Sequence, residues 1–504
     1  MAHIDPESEA YRSPAARRQR RLILSACMMA QFMAAVEGTI VGTAMPTIVA
    51  DLGGFHLFSW VFASYLLAQA ASTPIYGRLA DIYGRKRVFI IGASLFLVAS
   101  TACGFAWGMV PLIAMRTIQG LGAGAIQPMA WTVLGDTYAP RERGVVQGYL
   151  SAVFGASALC GPLLGGFIVG HLHWAVVFWI NIPISIAAMV MLWVFLDERI
   201  SPQRQETDYL GALLLMIGVG ALMVVLVQAS SLDRSTIIVL GVVAAIALPL
   251  LVLQERRTAE PIVPFKLWRI PIIVVGNMGS FVIGALMMCN GAFLPTYVQG
   301  AMASSPAVAG LALGASSVMW TVGTFGAAKT MILFSYRTTA LIGGAIMIAA
   351  SVLLLRLTPE QGPVWAAFGA SMLGLGMGFS NTTFIISIQT SVGWGERGAA
   401  TSANMFLRTI GQSIGTALFG AIFNVTMAGR VAGADAEINL LMQPATRGQL
   451  SGGEVTRLVD AIAAAVHNVY WIAGLLAVVM LLLAFWIPTG VALAQKPAAK
   501  LAGE

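Results

Sequence analysis

Apolar segments of membrane-spanning length recur along the whole chain. About 20 consecutive apolar residues let a helix cross the hydrocarbon core of a bilayer, whereas a strand of a membrane barrel alternates over about 10. The runs here are continuous and do not alternate, so they predict an all-α integral membrane protein with fourteen transmembrane helices. The predicted spans lie near residues 22–46, 56–76, 88–107, 109–132, 146–170, 175–196, 208–228, 235–254, 272–295, 306–328, 338–357, 363–390, 399–425 and 468–490.

The composition agrees with this class of protein. Of the 504 residues, 58% are hydrophobic and 10% are charged, which is too little polar surface for a soluble protein of this size. The formal net charge is +7, but the basic residues are spread over loops, which argues against a nucleic-acid partner. The cysteines lie in apolar runs without C-x-x-C spacing, so we expect neither disulfides nor a metal site from Cys27, Cys103, Cys160 and Cys289.

The loop formed by residues 77–87 predicts the orientation of the chain. It carries four Arg and Lys residues between two apolar runs, and basic loops resist translocation, so it should face the cytoplasm. An even number of spans then places both termini in the cytoplasm. With this topology, only five of the 29 Arg and Lys residues fall in loops on the other side. We therefore predict a multi-pass protein of the inner (cytoplasmic) membrane.

Two short motifs repeat with the same offset of 254 residues. Residues 120–124 (GLGAG) recur as 374–378 (GLGMG), and residues 142–144 (ERG) recur as 396–398. The offset pairs the fourth predicted span with the twelfth, which indicates a duplicated six-helix unit. In transporters built from such repeats, the substrate site lies at the interface between the repeats.

The repeat predicts how the chain is divided. A six-helix bundle (22–196) and a second six-helix bundle (272–490) flank two inserted helices (208–254), with cytoplasmic tails at 1–21 and 491–504. The longest loop, about 426–467, falls on the outer side and contains a possible amphipathic stretch, 454–467. For this loop, a folded hairpin and a flexible surface loop both stay open.

Glu37 is the one carboxylate that this assignment leaves deep inside a span. A buried carboxylate is costly in its charged form, so such an acid tends to exchange protons when water reaches it. Arg116 lies at an overlapping depth, ~9 Å from the outer surface against ~13 Å for Glu37. The pair is predicted to couple protons to solute movement, and the alternative is a purely structural ion pair.

Four motifs carry a resemblance to a known family. Residues 77–87 resemble the loop signature of the major facilitator superfamily, and residues 37–46 resemble the first-span signature of its fourteen-helix drug:proton antiporters. In the second motif, Glu37 stands where that branch usually has aspartate, and Gly42 stands where it usually has asparagine. Residues 116–124 are similar to the fourth-span motif R-x-x-Q-G-x-G, whose arginine is implicated in proton transfer. The fifth span carries the G-x₅-G-P-x-x-G-G antiporter signature as Gly155, Gly161, Pro162, Gly165 and Gly166.

The resemblance implies roles for these residues. The antiporter glycines, including the pairs 161/165 and 166/170, should flatten helix faces for close packing and limit leakage. Proton handling is expected in the first bundle only, because position 370, which corresponds to Arg116, is alanine. The cytoplasmic loop should lock the outward-facing state, with Arg143 or Arg141 as a partner of Asp81. The second-half loop 329–337 lacks an acid, so we expect an asymmetric lock. The predicted lock residues are Gly77, Asp81, Gly84, Arg85, Arg87 and Arg143.

Polar, aromatic and sulfur-containing residues within the spans of both bundles are candidates to line a central cavity, although each also suits simple packing. Arg408 has Phe154 as its counterpart in the repeat; it could meet an anionic substrate group, pair with a helix C-terminus or reach the inner interface, and a structural or gating role is favoured. With one embedded acid, the cavity suits neutral, zwitterionic or monocationic compounds better than dications. The candidates are Phe32, Met33, Gln127, Asn290, Phe293, Trp320, Asn381, Phe384 and Arg408.

These observations predict a proton-coupled multidrug efflux antiporter that works by alternating access. Its expected partners are lipophilic drugs, protons and membrane lipids, and it is expected to be a monomer and not an enzyme. It should need no cofactor, because the proton gradient drives it and the sequence has no G-x-x-x-x-G-K-[ST] nucleotide loop. One alternative is a lipid or metabolite exporter of the same fold, with the inserted helices forming a lateral path. A second is a non-transporting sensor or scaffold.

Overall fold

The computed structural model of the chain describes residues 13–53, 58–198, 208–228, 232–258, 265–431, 441 and 447–487. Within these ranges the regular structure is entirely helical. The long helices are α1 (Pro14–Leu52), α2 (Phe58–Tyr83), α3 (Arg85–Cys103), α4 (Met109–Thr137), α5 (Pro140–His171), α6 (Asn181–Phe195), α7 (Tyr209–Gln228), α8 (Arg234–Arg257), α9 (Pro271–Met288), α10 (Pro306–Leu333), α11 (Tyr336–Leu355), α12 (Gly362–Ser391), α13 (Arg397–Val431) and α14 (Gly452–Phe485).

Eleven helical stretches within the described residues are long and apolar enough to cross a membrane. α2, α5 and α7 are helical but fall outside that set, so the fourteen-span topology stays a prediction. A one-turn helix, Val176–Trp179, precedes α6, and π-helical segments, Cys289–Phe293 and Tyr297–Ala301, extend α9. The predicted all-α class is confirmed. Most helices are longer than the corresponding apolar runs of the sequence, because the polar residues at the ends of these runs are also helical.

We call α1–α6 the N-terminal half and α9–α14 the C-terminal half. In the N-terminal half, α4 packs between α2 and α3, and α1 packs against α4, α5 and α6. In the C-terminal half, α12 packs between α10 and α11, while α9 packs against α13 and α14 packs against α11. Clusters of buried apolar side chains form the interior of each half, and one cluster of the N-terminal half also includes Ile385 and Met405 of the C-terminal half.

Glycines in the repeated motif explain the close approach of these helices. A Cβ built at Gly120 or Gly124 would collide with α2, and one built at Gly122 would collide with α3. Small residues let helix backbones approach closely in lipid, where no hydrophobic force drives helices together. The second copy repeats the pattern, because a Cβ at position 374 or 378 would collide with α10 and one at 376 would collide with α11.

The halves meet mainly through two helix pairs, α2 with α13 and α5 with α10. The inserted helices α7 and α8 pack against each other, and α7 also packs against α2 and α13. The side chains of this contact are apolar and include Ala63, Leu67 and Ala71 of α2 and Leu215, Val219 and Met223 of α7. The inserted pair therefore lies along the α2–α13 seam. The division into two bundles and an insertion stays a proposal, which this packing supports.

The segment 454–467, which lies in the outer loop 426–467 for which a hairpin and a flexible loop were both open, is part of α14. That helix begins at Gly452, whereas the predicted span begins at residue 468. Ser451 and Glu454 form a capping box that starts the helix at this point. The predicted tail 491–504 lies outside the described residues, as do residues 1–12 of the other tail and 432–440 and 442–446 of the outer loop.

Candidate functional site

A carboxylate–guanidinium pair lies inside the N-terminal half, where α1 faces α4. Glu37 of α1 is 0% exposed and Arg116 of α4 is 1% exposed. Nη1 of Arg116 donates to Oε1 of Glu37. The structure thus brings together the two charged residues whose predicted depths overlap.

Two amide side chains complete the surroundings of the Glu37 carboxylate. Gln119 of α4 donates from Nε2 to Oε1 at 3.2 Å, and Asn181 at the start of α6 donates from Nδ2 to Oε2 at 2.5 Å. The Asn181 amide also lies 3.2 Å from Oγ of Ser100 in α3. A buried carboxylate is stable in the charged form only when it is paired and hydrogen-bonded. Glu37 therefore joins α1, α4 and α6 through one charged acceptor.

Arg116 also contacts α2. Its Nε donates to the Val61 carbonyl at 3.2 Å, and its guanidinium carbon lies 4.3 Å from the centroid of the Tyr65 ring. A second bond from Nη1 reaches Oε1 of Gln119 at 2.8 Å. We call Glu37, Arg116, Gln119 and Asn181 the embedded cluster. Because Arg116 extends these contacts to α2, a change of charge on Glu37 affects the contacts of α1, α2, α4 and α6.

Reasoning from the sequence missed Gln119 and Asn181. Gln119 lay inside the fourth-span motif, but no role was assigned to it. Asn181 and Ser185 are the only polar side chains in the apolar run 175–196, and that isolation is a signal that could have identified Asn181. An amide inside a membrane span needs a partner, and here the partner is Glu37.

A second group of buried charges lies where α2, α4 and α12 end and α3, α5 and α13 begin; we call this the basic end. Asp81 accepts from the backbone N–H of Gly398 at 2.9 Å and from that of Ala399 at 2.7 Å, both in the first turn of α13. A helix N-terminus stabilises a carboxylate through its free amides and its dipole. Asp81 thereby joins the N-terminal half to the C-terminal half.

Arg85 extends this contact into a chain of charges. Its Nη2 donates to Oδ1 of Asp81 at 2.7 Å, and its Nε lies 3.1 Å from Oδ2 of Asp136. Asp136 in turn pairs with Arg397 of α13. The guanidinium carbon of Arg85 lies 3.8 Å from the centroid of the Trp394 ring. We call Asp81, Arg85, Asp136 and Arg397 the closing cluster, because it holds the two halves together at the basic end.

The glycines of the same loop have steric roles. A Cβ at Gly77 would collide with Ser402 of α13 and would lie 2.9 Å from the Gly398 carbonyl. Gly84 precedes α3 with φ of 94°, a left-handed conformation that favours glycine. Arg87 is exposed at the surface.

Arg143 does not occupy the position that was expected for it. Its Nε donates to the Tyr138 carbonyl at 3.1 Å, and Arg141 is exposed. Asp81 instead docks on the second copy of the repeated loop, at Gly398, because α2 lies against α13 and not against α5. The expected chemistry of helix amides and a basic residue is present, but the amides come from the other half.

The antiporter glycines of α5 pack beside the embedded cluster. A Cβ at Gly161 would approach Cβ of Thr39 at 2.8 Å, and one at Gly165 would approach Cβ of Thr43 at 2.9 Å. Both threonines lie on α1, and Thr39 is two residues from Glu37. These glycines therefore set the position of the helix that carries the buried acid.

The second glycine pair does not pack. A Cβ at Gly166 or Gly170 would meet no atom within 4 Å, so the expectation that this pair flattens a packed face is wrong for the described residues. Gly155 faces α10, where an added Cβ would lie 3.7 Å from the Ser317 carbonyl oxygen. Pro162 lies in the same helix. The physical reason is that these residues point in different directions around the axis of α5. Positions 161 and 165 face α1, whereas positions 166 and 170 face outward.

Three predicted cavity residues lie inside a single half. Met33 is 1% exposed, with its sulfur 2.6 Å from Oγ of Ser185, and Phe384 is 0% exposed against α9. Phe293 packs with Phe419 of α13 at a centroid distance of 6.3 Å. A polar or aromatic pattern within a span does not reveal which helix face turns inward. In this conformation the close contacts described for these three side chains are all within their own half.

The remaining candidates have polar or partly exposed positions. Asn290 lies in a π-helical segment and donates from Nδ2 to Oγ of Ser316 at 2.9 Å. Phe32 and Trp320 are partly buried against the cores of their halves, and Gln127 is partly exposed. Within the described part of the chain, no group of three His, Cys, Asp or Glu side chains is placed to hold a metal ion.

Arg408 and Asn381 contact each other in the C-terminal half. Nη1 of Arg408 lies 3.4 Å from Oδ1 of Asn381, a long and weak hydrogen bond. Arg408 is partly exposed, whereas Asn381 is 2% exposed. Unlike Arg116, Arg408 has no carboxylate within ion-pair distance among the residues described here.

These features define a helical membrane transporter with two similar halves. A model of the Major Facilitator Superfamily matches residues 27–416, and the chain belongs to this superfamily. The solved structure of the proton:xylose symporter XylE aligns with a TM-score of 0.60 and 13% identity over 92% of this chain and 95% of that chain, which shows the shared fold. The chain is thus a multi-pass membrane transporter and not an enzyme.

The curated relatives are similar over most of their length. Multidrug resistance protein 3 of Bacillus subtilis (strain 168) is 32% identical over 90% of this chain and 92% of its own length. Multidrug export protein EmrB of Haemophilus influenzae is 31% identical over 79% of both chains. The predicted family is confirmed by these matches.

Proposed function

We propose that the chain is a proton-coupled multidrug efflux transporter that exports lipophilic compounds in exchange for protons by alternating access. The embedded cluster is the observation that carries this proposal. An acid that is fully buried, paired and shared by four helices changes their packing when it gains a proton. The names of the multidrug relatives support export of drugs.

The coupling follows from the contacts of Glu37. When charged, it accepts from Arg116, Gln119 and Asn181. A proton on Glu37 removes the charge that neutralises Arg116 and turns one carboxyl oxygen into a donor. The bonds to α4 and α6 then weaken together, so protonation and helix position are thermodynamically linked.

The closing cluster supplies the second element of the cycle. It holds α2 against α13 at the basic end, which we assign to the cytoplasmic side, so this conformation is the outward-facing one. Loss of these contacts would open the cytoplasmic end to substrate. The proposal includes the predicted location and assembly, with both termini in the cytoplasm, insertion in the inner membrane and a monomer as the working unit.

The test replaces Glu37 by glutamine, which keeps the shape of the side chain and removes its charge. We expect the purified Glu37→Gln protein in liposomes to bind a lipophilic monocation such as ethidium and to exchange it without a gradient. A pH gradient should drive accumulation by the unaltered protein but not by the variant. Substrate binding in weakly buffered detergent should release protons only from the unaltered protein.

Glu142→Gln is the matched control, because Glu142 is exposed at the basic end. It should keep gradient-driven accumulation. If Glu37→Gln still accumulates substrate against a gradient, Glu37 is not the coupling acid. If no lipophilic cation or neutral drug is moved by the unaltered protein, the lipid or metabolite exporter replaces this proposal.

A further inference from the structure

Arg408 and Asn381 lie at the same depth in the C-terminal half, far from helix ends. Arg408 is eleven residues after the start of α13 at Arg397, and Asn381 is ten residues before the end of α12 at Ser391. These separations place both side chains ~15 Å from the basic end. A charged group at this depth is costly and marks a functional site.

Both residues are on helix faces that turn toward the N-terminal half. Met405, three residues before Arg408, and Ile385, four residues after Asn381, are packed in an apolar cluster formed mainly by α1, α3 and α4. Residues three or four apart share a helix face. Arg408 and Asn381 therefore lie on the inter-half side, one turn farther from the basic end than that closed contact.

Among the described residues of the C-terminal half, no carboxylate lies within ion-pair distance of Arg408. Between Pro271 and Val431 the chain has two acids, Glu360 and Glu396, both in short connections between helices, and the two acids of α14, Glu454 and Asp460, are exposed. Glu37 is held by the embedded cluster, and Asp136 by Arg85 and Arg397. Arg408 keeps one weak bond to Asn381 and stays partly exposed.

The surroundings of Arg408 suit an apolar molecule with one negative group. Gln412, one turn further along α13, donates from Nε2 toward Sδ of Met287 at 3.5 Å. Thioethers adapt to irregular apolar shapes, and a guanidinium binds a carboxylate or sulfonate through two parallel hydrogen bonds.

From these observations we propose that Arg408, positioned by Asn381, is the binding subsite for a carboxylate or sulfonate group of the transported compound. The class of transported compounds then includes lipophilic anions and zwitterions. The anionic group of such a compound supplies the negative counter-charge that Arg408 does not receive from the described residues. This inference rests on the proposed export function and names the chemistry of its substrate site.

The test compares two dyes that differ by one methyl group: rhodamine 110, which has a free carboxylate, and its methyl ester, rhodamine 123. Dissociation constants are measured by fluorescence anisotropy with purified full-length protein. We expect the unaltered protein to prefer the carboxylate by about tenfold, the effect of one hydrogen-bonded charge pair. Arg408→Gln should abolish the preference without weakening ester binding, and Arg408→Lys should retain part of it.

Arg356→Gln is the matched control, because it removes an exposed arginine at the end of α11 and should leave the preference unchanged. Unchanged ester binding shows that Arg408→Gln is folded. Equal affinity for the two dyes in the unaltered protein, no binding of either dye, or a preference that survives Arg408→Gln would each overturn the inference. If the unaltered protein exports the ester in a proton-driven manner but does not prefer the carboxylate dye, only the Arg408 subsite is rejected. If it prefers the carboxylate dye but shows no proton-driven transport, only the proposed proton coupling is rejected.

Discussion

The two halves of the molecule share a packing scaffold but differ in where they carry charge. In both, glycines of one repeated motif admit two neighbouring helices: Gly120 and Gly124 face α2, and Gly374 and Gly378 face α10. The position that corresponds to Arg116 is Ala370, which is fully buried. The scaffold is thus repeated, and the embedded ion pair belongs to one copy.

The C-terminal half has its own embedded cation at a different place. Arg408 lies on α13, whereas its counterpart on α5 is Phe154. Arg116 is neutralised by Glu37, and Arg408 has no such partner among the described residues. One half therefore holds a closed ion pair, the site of the proposed proton coupling, and the other holds an open charge, the proposed solute subsite.

The largest effect that we predict comes from breaking the closed pair. Arg116→Ala leaves Glu37 buried without its counter-charge, and loss of one partner of a buried pair costs about 3–5 kcal/mol. We expect a marked fall in folded yield and in the thermal unfolding temperature in detergent. Arg408→Ala should leave the unfolding temperature unchanged or raise it, since that arginine neutralises no acid.

A double variant controls this comparison. Glu37→Gln combined with Arg116→Ala removes both charges and should recover most of the lost stability, although not proton coupling. If the double variant is as unstable as Arg116→Ala alone, packing of the arginine stem and not the uncompensated charge determines the loss. If Arg408→Ala is as damaging as Arg116→Ala, the distinction between a closed and an open charge fails.

Much of this arrangement could be predicted from sequence, because hydrophobic length and motif spacing report helices and their order. The pairing of Glu37 with Arg116 was also predicted, because both are charged residues within spans and their estimated depths overlap. Rotation about helix axes could not be predicted: Phe384 faces its own half, and Gly166 faces outward. The docking of Asp81 on Gly398 was missed for a related reason, since a repeat identifies equivalent loops but not which copy faces which.

The two contacts between the halves give the next prediction. At α2–α13, the Asp81 carboxylate accepts from two backbone amides of α13, whereas at α5–α10 the described residues include a neutral hydroxyl pair, Thr324 with Ser151 at 3.3 Å. Hydrogen bonds to a charged group contribute about 1.5–3 kcal/mol and neutral ones about 1 kcal/mol. Asp81→Asn should therefore open the basic end far more than Thr324→Val.

Opening is measured by the reaction rate of a cysteine at position 401 with a membrane-impermeant thiol reagent, in a background whose native cysteines are alanine. Thr401 is 1% exposed next to the closing cluster. We expect about a tenfold faster reaction for Asp81→Asn and about a twofold change for Thr324→Val. Equal rates for the two variants would mean that the lock is symmetric, contrary to the expectation from the sequence.

The smallest effects distinguish packed from open glycines in both halves. Gly161 packs on Thr39 of α1, and Gly415, 254 residues later, packs on Ala285 of α9; Gly166 and Gly420, related by the same offset, face open space.

Alanine at position 161 or 415 should lower stability by about 1–3 kcal/mol through overpacking, whereas alanine at 166 or 420 should leave it unchanged or raise it by up to about 1 kcal/mol, because alanine favours helix. The unfolding temperatures of the four glycine-to-alanine variants in detergent test whether the packing scaffold is equivalent in the two halves. Proton coupling should fall only for Gly161→Ala, because Thr39 is two residues from Glu37 and displacement of α1 moves the acid. A similar loss of coupling in Gly415→Ala would show that the C-terminal half takes part in proton transfer despite Ala370, and the division of labour between the halves would have to be abandoned.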